Sequence, residues 1–405
     1  INYAKKNGIS IPKDKKGAPP FSVDDNLFHT STEGKMLEDP NKNPPEYLFQ
    51  RTVNPEKATA KPTLVKIGFK NGDPVSLNKK QYSPSKLLEK LNSLDASVNL
   101  ISLEKERLPF WEDDFEGMTL RLFARQSLAE YVKTDEWFIP TKQSFAFFNK
   151  YFEVKYPFGK YDQIVAPDFN AGAMENVAAV TFNEGYIARG EKSTSARMSL
   201  ANVIAHEMAH MWFGDLVTMR WWNGLWLNES FATYMANLAI AEASDFENNW
   251  DVFYSGTKQW AYRTDDSVNT HAIELPVAST GVALSNFDGI TYGKGASVLK
   301  QLPFYLGEEN FRVGVSNYLK KFSYQNTDLD DFIGELGKAA DKDMTQWTQD
   351  WLFNAGLNTI KVNYQCSDGK TSEFAINQTA PEGYPTLREQ RVQIGLYNIN
   401  ADGNA

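Results

Sequence analysis

Apolar residues recur at two different spacings along this chain of 405 residues. Between about residues 111 and 357, runs such as TKQSFAFFNKYF and KGASVLKQLPFYL repeat aromatic and aliphatic positions every three or four residues, which predicts amphipathic helices. The segments MTLRLFA, YDQIVA and NVAAVTF instead have the β-branched and aromatic character of strands. The sequence therefore predicts an α+β fold for this part of the chain.

After Thr359 the pattern changes to alternation. The runs TIKVNY, EFAINQT and QRVQIGLYNI place apolar and polar residues in turn, as half-buried strands do. We expect residues 358–405 to begin an antiparallel sheet domain, and the sequence to stop within that domain.

The first 92 residues differ in character from the rest. Residues 1–90 carry 16 Lys and Arg against 10 Asp and Glu, a net charge of +6, whereas the remaining 315 residues carry −15. Ten of the 18 prolines and none of the 10 tryptophans fall there, so chain breakers are many and large core groups are few. The runs PTLVKIGF and DPVSLN flank Asn71-Gly72 and predict a hairpin. We expect a separate segment at 1–92, a junction at 93–110 and a second domain at 111–357.

The overall composition is that of a globular protein, with 42% hydrophobic and 13% aromatic residues. A net charge of −9 and a pI near 5.2 argue against nucleic acid or an anionic membrane as the main partner, since both attract surfaces rich in Lys and Arg. We expect a small or peptide substrate. No transmembrane helix is predicted, because no run of 18 apolar residues occurs.

The cysteine content and the first residues bear on the compartment. Cys366 is the single cysteine, which excludes an internal disulfide and a cysteine-rich metal site. The first residues, INYAKKNGISIPKDKK, contain no apolar signal core and do not begin with Met. We therefore expect a cytoplasmic protein whose sequence is incomplete at its start.

One stretch concentrates the candidate chemistry. His206 and His210 lie four residues apart in the helical run ARMSLANVIAHEMAHMWF, so their imidazoles project from one face and can share a metal ion. Glu207 and the two imidazoles would be costly to bury there without a cation as partner. Glu229, separated from His210 by 18 residues, falls in a second helical run, LWLNESFATYMANLAIAEA, and can supply a third ligand.

Three ligands of this kind predict a hydrolytic rather than a structural metal site. Structural zinc is normally enclosed by four ligands that usually include cysteines, whereas three N/O ligands leave one position for water. Water in that position becomes a nucleophile, and Glu207, one residue from a ligand, is placed to accept its proton.

Several further motifs surround this stretch. GAMEN, at 172–176, precedes HEMAH by some 30 residues, and FARQS, YPFGKYD, MWFGDLVT, WLNESFA and TYGKGA lie on either side. In these motifs, residues 111–405 resemble the M1 family of zinc aminopeptidases. The resemblance implies a thermolysin-like catalytic domain followed by a β-sandwich. It also implies a zinc-dependent aminopeptidase that hydrolyses N-terminal amino acids from peptides.

The same resemblance implies a role for each site residue. One Zn²⁺ per chain is held by His206, His210 and Glu229, while Glu207 is the general base and Tyr292 of TYGKG stabilises the oxyanion. The substrate-binding residues form the GAMEN segment: Gly172, Ala173, Met174, Glu175 and Asn176. Glu175 pairs with the substrate α-ammonium group, so peptides with a free N-terminus are the expected partners.

GAMEN also has a chemical logic of its own. Its glycine lets a ligand approach the backbone closely, and the edge of the following strand, NVAAVTF, can pair with an extended peptide. A blocked or internal residue would leave the Glu175 carboxylate without a partner, which disfavours endopeptidase action.

The first segment resembles a different family. The runs YAKKNGISIP, FSVDDNLFHTSTEGKMLEDP and LVKIGFKNGDPVSLN lie between residues 2 and 92. They resemble an internal piece of argininosuccinate synthase, the ligase that joins citrulline and aspartate with ATP, and that resemblance makes Ser22, Ser31 and Glu33 citrulline contacts. The Ser-Gly-Gly nucleotide loop of that family is not in the sequence, so we expect no ligase activity.

Two alternatives to an aminopeptidase remain open at this point. Some M1 relatives open an epoxide at the same metal, and a hybrid chain can bind zinc without turning over. The hybrid is considered because M1 enzymes place an N-terminal β-domain, with a second carboxylate for the α-ammonium site, where this sequence has the ligase-like segment. Acetylated peptide, free peptide and epoxide substrates tested side by side separate the possibilities.

Overall fold

The chain consists of two compact units: residues 1–107 with 278–282, and residues 108–277 with 283–405. The computed structural model describes residues 22–25, 30–33, 37, 65–70, 73–83, 86–87, 90, 109–368 and 370–395. The predicted turn Asn71-Gly72 and residues 93–108 of the predicted junction lie outside the described residues.

The first unit contains short antiparallel strands: β1 (Ser22–Asp25), β2 (Thr30–Glu33), β3 (Ile67–Lys70), β4 (Asp73–Leu77) and β5 (Lys80–Gln81). Strands β1 and β2 form one hairpin, and β3, β4 and β5 form a second sheet in that order. The pairing of β3 with β4 confirms the hairpin predicted from PTLVKIGF and DPVSLN. Asn78 and Lys79 join β4 to β5 with φ values of 49° and 70°, the backbone geometry of a two-residue hairpin turn.

The second unit is built on a five-stranded sheet: β6 (Phe110–Phe115), β7 (Met118–Phe123), β8 (Tyr161–Ala166), β9 (Ala173–Met174) and β10 (Ala179–Asn183). The strand order is β6-β7-β8-β10-β9. Strands β7, β8 and β10 run parallel to one another, whereas β6 and β9 at the two edges are antiparallel to their neighbours. The strands predicted in MTLRLFA, YDQIVA and NVAAVTF are confirmed.

Of the α-helices with described bounds, one lies between β7 and β8, and the others follow β10. Those described are α1 (Asp135–Phe152), α2 (Thr194–His210), α3 (Leu225–Ala243), α4 (Asn249–Phe253), α5 (Gln259–Asp265), α6 (Thr280–Leu284), α7 (Gly295–Leu306), α8 (Glu308–Phe322), α9 (Leu329–Ala340) and α10 (Thr345–Leu352). The helices predicted from TKQSFAFFNKYF and from the runs after Tyr292 are confirmed, and the mixed helix and sheet content agrees with the predicted α+β class.

Helix α1 connects the sheet to the helical layer through its aromatic side chains. Phe145 contacts Tyr161 of β8 edge to face, with ring centroids 5.0 Å apart. Phe148 and Phe152 pack on Trp212, just after α2, at 5.7 and 5.4 Å. Aromatic pairs of this kind add to the burial of their apolar area. Helices α2 and α3 are thereby fixed against the core.

Two smaller sheets complete the described second unit. Strand β11 (Val217–Met219) pairs in parallel with β12 (Gln325–Thr327), and β13 (Thr359–Ser367) pairs antiparallel with β14 (Lys370–Thr379). The second pair confirms the two strands predicted from TIKVNY and EFAINQT, although every residue of β13 is exposed and its two faces do not differ in burial. None of the described helices has the length and unbroken apolar character needed to cross a bilayer.

The prediction of a strand in QRVQIGLYNI is wrong for its described part, because residues 390–395 form no strand. Alternation makes a strand possible, but a strand forms only where a neighbour pairs with its backbone. The segment just before it is held differently. The Arg388 guanidinium donates to the backbone oxygens of Asp350, Asn354 and Ala355 at the end of α10.

Candidate metal centre and catalytic site

Helix α2 presents the two predicted histidine ligands. Its N-terminus is capped by Ser193, whose Oγ accepts from the backbone N–H of Ala196 at 3.1 Å. The last turn of α2 contains both histidines, and their spacing of four residues places the two rings 4.7 Å apart on one face. His206 Nε2 and His210 Nε2 lie 3.1 Å from each other.

Helix α3 packs beside α2 and brings Glu229 to the same point. Glu229 Oε2 lies 3.3 Å from His206 Nε2 and 3.4 Å from His210 Nε2. The three atoms therefore form a nearly equilateral triangle. The structure brings together the three residues that the sequence predicted as metal ligands.

The size of this triangle fits a single tetrahedral ion. Nitrogen and oxygen ligands at about 2.0–2.2 Å from a tetrahedral ion lie about 3.3–3.6 Å apart, close to the three measured distances. Among the described residues, no hydrogen-bond donor reaches the buried Glu229 Oε2, which is costly for a carboxylate unless a cation faces it. Both observations fit a candidate metal site with two imidazoles and one carboxylate.

Hydrogen bonds fix which nitrogen of His210 faces the triangle. His210 Nδ1 lies 3.0 Å from Phe213 O and 2.8 Å from Asn228 Oδ1. Both oxygens are acceptors, so Nδ1 donates to them and Nε2 is the nitrogen that faces the triangle. Burial lowers the pKa of His206, which keeps that imidazole neutral and able to bind a metal as well.

Glu207 lies beside the triangle but outside it. The carboxylate is 5% exposed, and its Oε2 has no hydrogen-bond donor in the described part of the chain. Burial raises the pKa of Glu207 to about 8, and the carboxylates of Glu175 and Glu229 add to that effect. Glu175, Glu207 and His210 have ligand atoms within 4.8 Å of one another, so Glu207 faces the same space as the triangle.

The charges around the triangle favour a cation. Although burial lowers it, the pKa of His210 is raised overall, mainly by Glu175 and Glu229. Asp215, which follows α2, has its pKa raised to about 8, first by burial and then by Glu175. Several carboxylates therefore crowd two imidazoles in a desolvated space, and a divalent ion relieves their mutual repulsion.

The GAMEN segment forms the edge of the main sheet. Ala173 and Met174 constitute β9, which pairs antiparallel with Thr181 and Phe182 of β10. The free edge predicted for NVAAVTF is wrong at Thr181 and Phe182, which β9 covers. The chain reverses after β9, so that β10 is covered on both sides and β9 itself is the outer strand.

Glu175, directly after β9, is tied to the metal-binding helices. Its Oε1 accepts from Asn228 Nδ2 at 3.1 Å and lies 3.9 Å from His210 Nδ1. The neighbouring Asn176 turns the other way and donates to Thr181 Oγ1 at 3.2 Å. Gly172 lies near Tyr186, because a Cβ at that glycine would stand 3.1 Å from the phenol oxygen. The segment therefore directs Glu175, but not Asn176, toward the candidate metal centre.

Tyr292 lies in a single turn of π-helix, Ile290–Lys294, beside His206. Its ring stacks on His206 at a centroid distance of 6.2 Å and on Trp260 at 6.0 Å. Burial, followed by the negative charge of Glu229, raises the pKa of Tyr292 above its ordinary value. The phenol therefore keeps its proton at neutral pH and can act as a donor.

The glycines of TYGKG allow this turn to pack closely. A Cβ on Gly293 would lie 2.6 Å from the backbone oxygen of Thr257, and one on Gly295 would lie 2.0 Å from Ser230 Oγ. The Ser230 hydroxyl donates to Thr291 O. Ser230 follows Glu229 along α3, so this contact links the tyrosine turn to the ligand helix.

Sequence reasoning missed two residues that contact the ligands. Asn228 bonds both His210 and Glu175, and Thr233 Oγ1 lies 3.4 Å from His206 Nδ1. Metal-binding histidines usually have a second partner on the other ring nitrogen. The sequence offered one signal for each residue: Asn228 directly precedes Glu229, and Thr233 follows it by one helical turn. Ser22, Ser31 and Glu33 lie on the paired strands β1 and β2, with Ser22 opposite Glu33, and their side chains lie outside the described part.

Comparison with known proteins gives two family matches. The sequence profile of the peptidase family M1 domain matches residues 138–351. The profile of the arginosuccinate synthase C-terminal domain matches residues 21–100. The first match falls within the segment that resembles the M1 family, and the second overlaps the segment that resembles argininosuccinate synthase. Both resemblances are therefore confirmed.

Individual relatives match the larger part of the chain. Aminopeptidase N of Streptomyces lividans is 45% identical over 302 residues, which are 72% of this chain and 35% of that protein. Leucyl aminopeptidase of Saccharolobus solfataricus is 42% identical over 224 residues, 55% of this chain and 28% of that protein. Tricorn protease-interacting factor F2 of Thermoplasma volcanium is 42% identical over 226 residues, which are 55% of this chain and 28% of that protein. The chain spans about a third of the length of these curated relatives.

Proposed function

Because the chain belongs to the peptidase M1 family, we propose that it is a zinc-dependent aminopeptidase that hydrolyses N-terminal amino acids from peptides. The observation that carries this proposal is the triangle of His206 Nε2, His210 Nε2 and Glu229 Oε2, whose edges measure 3.1, 3.3 and 3.4 Å. The relatives that are named aminopeptidases support the same activity.

The proposal extends to the domains. Residues 111–357 form a thermolysin-like catalytic domain, supported by the two ligand helices beside a sheet whose outer strand precedes Glu175. Residues 358–405 begin a β-sandwich, supported by the antiparallel pair β13 and β14. Residues 1–92 are the argininosuccinate synthase-like segment, and residues 93–110 are the junction.

His206, His210 and Glu229 hold the zinc, and Glu207 moves the proton. Zinc, when bound, supplies a Lewis acid that polarises the scissile carbonyl and lowers the pKa of water toward about 7. Glu207 accepts a proton from the attacking water and passes it to the leaving amine. Its position outside the ligand triangle leaves its carboxylate free for this task. Burial keeps bulk water away from the carboxylate.

Tyr292 and Glu175 act on opposite ends of the reacting residue. As negative charge develops on the carbonyl oxygen, the Tyr292 O–H donates to it, an interaction worth about 3 kcal/mol at comparable sites. The Glu175 carboxylate pairs with the substrate α-ammonium, and Asn228 fixes its orientation. The outer strand β9, containing Ala173 and Met174, adds main-chain hydrogen bonds to an extended peptide.

The test measures hydrolysis by the full chain of an unblocked peptide and of the same peptide with an acetylated N-terminus. We expect cleavage of the unblocked peptide alone, loss of activity after a chelator removes the metal, and recovery when zinc is returned. Glu207→Gln is the matched variant. It keeps the shape of the side chain and the bound zinc but should lose at least about a hundredfold in hydrolysis, because an amide accepts no proton.

Each failure has a distinct meaning. Wild-type turnover by Glu207→Gln excludes that residue as the base, and equal cleavage of both peptides indicates an endopeptidase. Zinc bound at one equivalent without any turnover indicates the inactive hybrid. Turnover of an epoxide in place of the peptide indicates the alternative in which the chain is an epoxide hydrolase.

A further inference from the structure

The turn that contains Tyr292 is held at its start by Asp288. Asp288 Oδ1 accepts from the backbone N–H of Ile290 at 2.9 Å and of Thr291 at 3.1 Å. The backbone oxygen of Asp288 accepts from Tyr292 N at 3.0 Å. One carboxylate oxygen therefore caps the first two residues of the turn, directly before Tyr292.

The second oxygen of the same carboxylate is bound by His271. His271 Nε2 lies 3.0 Å from Asp288 Oδ2, and His271 Nδ1 lies 2.7 Å from the backbone oxygen of Ala272. A carbonyl oxygen and a carboxylate oxygen are both acceptors, so both ring nitrogens must donate to satisfy this geometry. The arrangement fits an imidazolium ion that forms a charge-assisted hydrogen bond with Asp288.

The surroundings of His271 are compatible with a charge on this ring. The His271 and Asp288 side chains are 18% and 22% exposed, so their interaction is partly desolvated. Burial lowers the pKa of His271 and the charge of Lys294 also lowers it, but the hydrogen bonds to Asp288 and Ala272 outweigh both and raise it above 6.5. Lys294 is itself paired with Asp265 at 2.7 Å, which limits its repulsion of the ring.

We propose that His271 is a positioning residue, which places Tyr292 against the candidate metal centre by holding Asp288. This inference rests on the proposed role of Tyr292 as the oxyanion donor. The ring nitrogens of His271 bond Asp288 and Ala272, and neither is a candidate metal ligand. His271 acts through Asp288, which caps the turn Ile290–Lys294. The tyrosine ring of that turn stacks on the candidate ligand His206.

The interaction of His271 with Asp288 depends on pH. The pKa of folded His271 is raised above its unfolded value, so the stabilisation is fully present below about pH 6.5. It is lost as the pH rises through the folded pKa, when the ring keeps a single N–H and can no longer donate to both Asp288 and Ala272. The turnover number should therefore fall on the alkaline side by a step that belongs to His271.

Kinetics of four variants of the full chain test this with an unblocked peptide: His271→Ala, His271→Gln, Tyr292→Phe and the double variant His271→Ala/Tyr292→Phe. His271→Ala should lower kcat about tenfold with KM within about twofold and zinc content unchanged, because only the oxyanion donor is displaced. His271→Gln keeps an N–H for Asp288 without a titrating group, so it should recover part of kcat and lack the alkaline step. In a chain that already contains Tyr292→Phe, adding His271→Ala should lower kcat by less than a further factor of about two.

A purely structural role for His271 predicts additive losses in that double variant, which would overturn the inference while leaving the aminopeptidase proposal intact. A second readout does not need activity. Hydrogen exchange at the Ile290 and Thr291 amides should become at least about tenfold faster in His271→Ala, and in the wild type should speed up beyond its intrinsic pH dependence as His271 loses its proton. Unchanged protection of these amides in His271→Ala would also overturn the inference, whether or not the chain hydrolyses peptides.

Discussion

Asn228 offers a substitution that separates metal binding from amine recognition. Its Oδ1 accepts from His210 Nδ1 at 2.8 Å and its Nδ2 donates to Glu175 Oε1 at 3.1 Å. Asn228→Ala removes both contacts. Asn228→Asp keeps the acceptor for His210 and replaces the donor to Glu175 with a negative charge.

The size of the effect on metal affinity follows from the contacts that remain. Loss of an outer partner of a ligating histidine typically costs 10–100-fold in metal affinity. In Asn228→Ala the backbone oxygen of Phe213, 3.0 Å from His210 Nδ1, still holds the tautomer. We therefore expect the lower end, about tenfold or about 1.4 kcal/mol. In Asn228→Asp the acceptor is charged, so affinity should equal or exceed that of the wild type.

KM for the substrate should rise in both variants, but more in Asn228→Asp, the variant that is expected to keep its metal affinity. The carboxylate introduced by Asn228→Asp lies next to Glu175, and two like charges at this distance share a proton or separate. Either response weakens the anchor for the α-ammonium group, so KM for an unblocked peptide should rise about tenfold. Asn228→Ala removes one hydrogen bond that orients Glu175 and introduces no charge, so its KM should rise about two- to threefold.

Competition with a chelator measures the metal affinity, and initial rates at saturating zinc measure KM. Asn237→Ala is the control, because it removes another buried amide of α3 whose partners are Thr233 O and Asn249. That control should lower stability without changing zinc affinity. The reasoning is refuted if Asn228→Ala binds zinc as tightly as the wild type, or if Asn228→Asp loses zinc as completely as a ligand variant does.

Three further predictions concern single features of the chain. His210→Ala removes one corner of the ligand triangle and should abolish stoichiometric zinc in metal analysis; unchanged zinc content would contradict the assignment. Glu175→Ala should raise KM for unblocked peptides and narrow the gap to N-acetylated ones, and a preserved gap would show that another group anchors the amine. Deleting residues 1–92 should leave kcat/KM within about twofold, since the candidate catalytic residues all lie beyond them; a large loss with the remaining domain still folded would mean that the segment contributes to the site.

The local parts of the site were predictable from the sequence. His206 and His210 share a face because four residues make about one helical turn, and this holds wherever a helix forms. The alternation in TIKVNY and EFAINQT predicted β13 and β14 for the same reason, since a period of two depends only on the strand itself. The order of GAMEN, HEMAH and Glu229 supplied the family resemblance without any coordinates.

Contacts between distant segments required the tertiary structure. The 3.3 and 3.4 Å distances from Glu229 to the histidines depend on how α3 packs on α2, and no local period determines that packing. The outer strand of the sheet is Ala173–Met174 and not NVAAVTF, because the choice depends on which strands pair after a chain reversal. The bonds of Asn228 to Glu175 and of His271 to Asp288 join residues 53 and 17 positions apart, and polar side chains at such separations acquire partners only when the packed core brings them together.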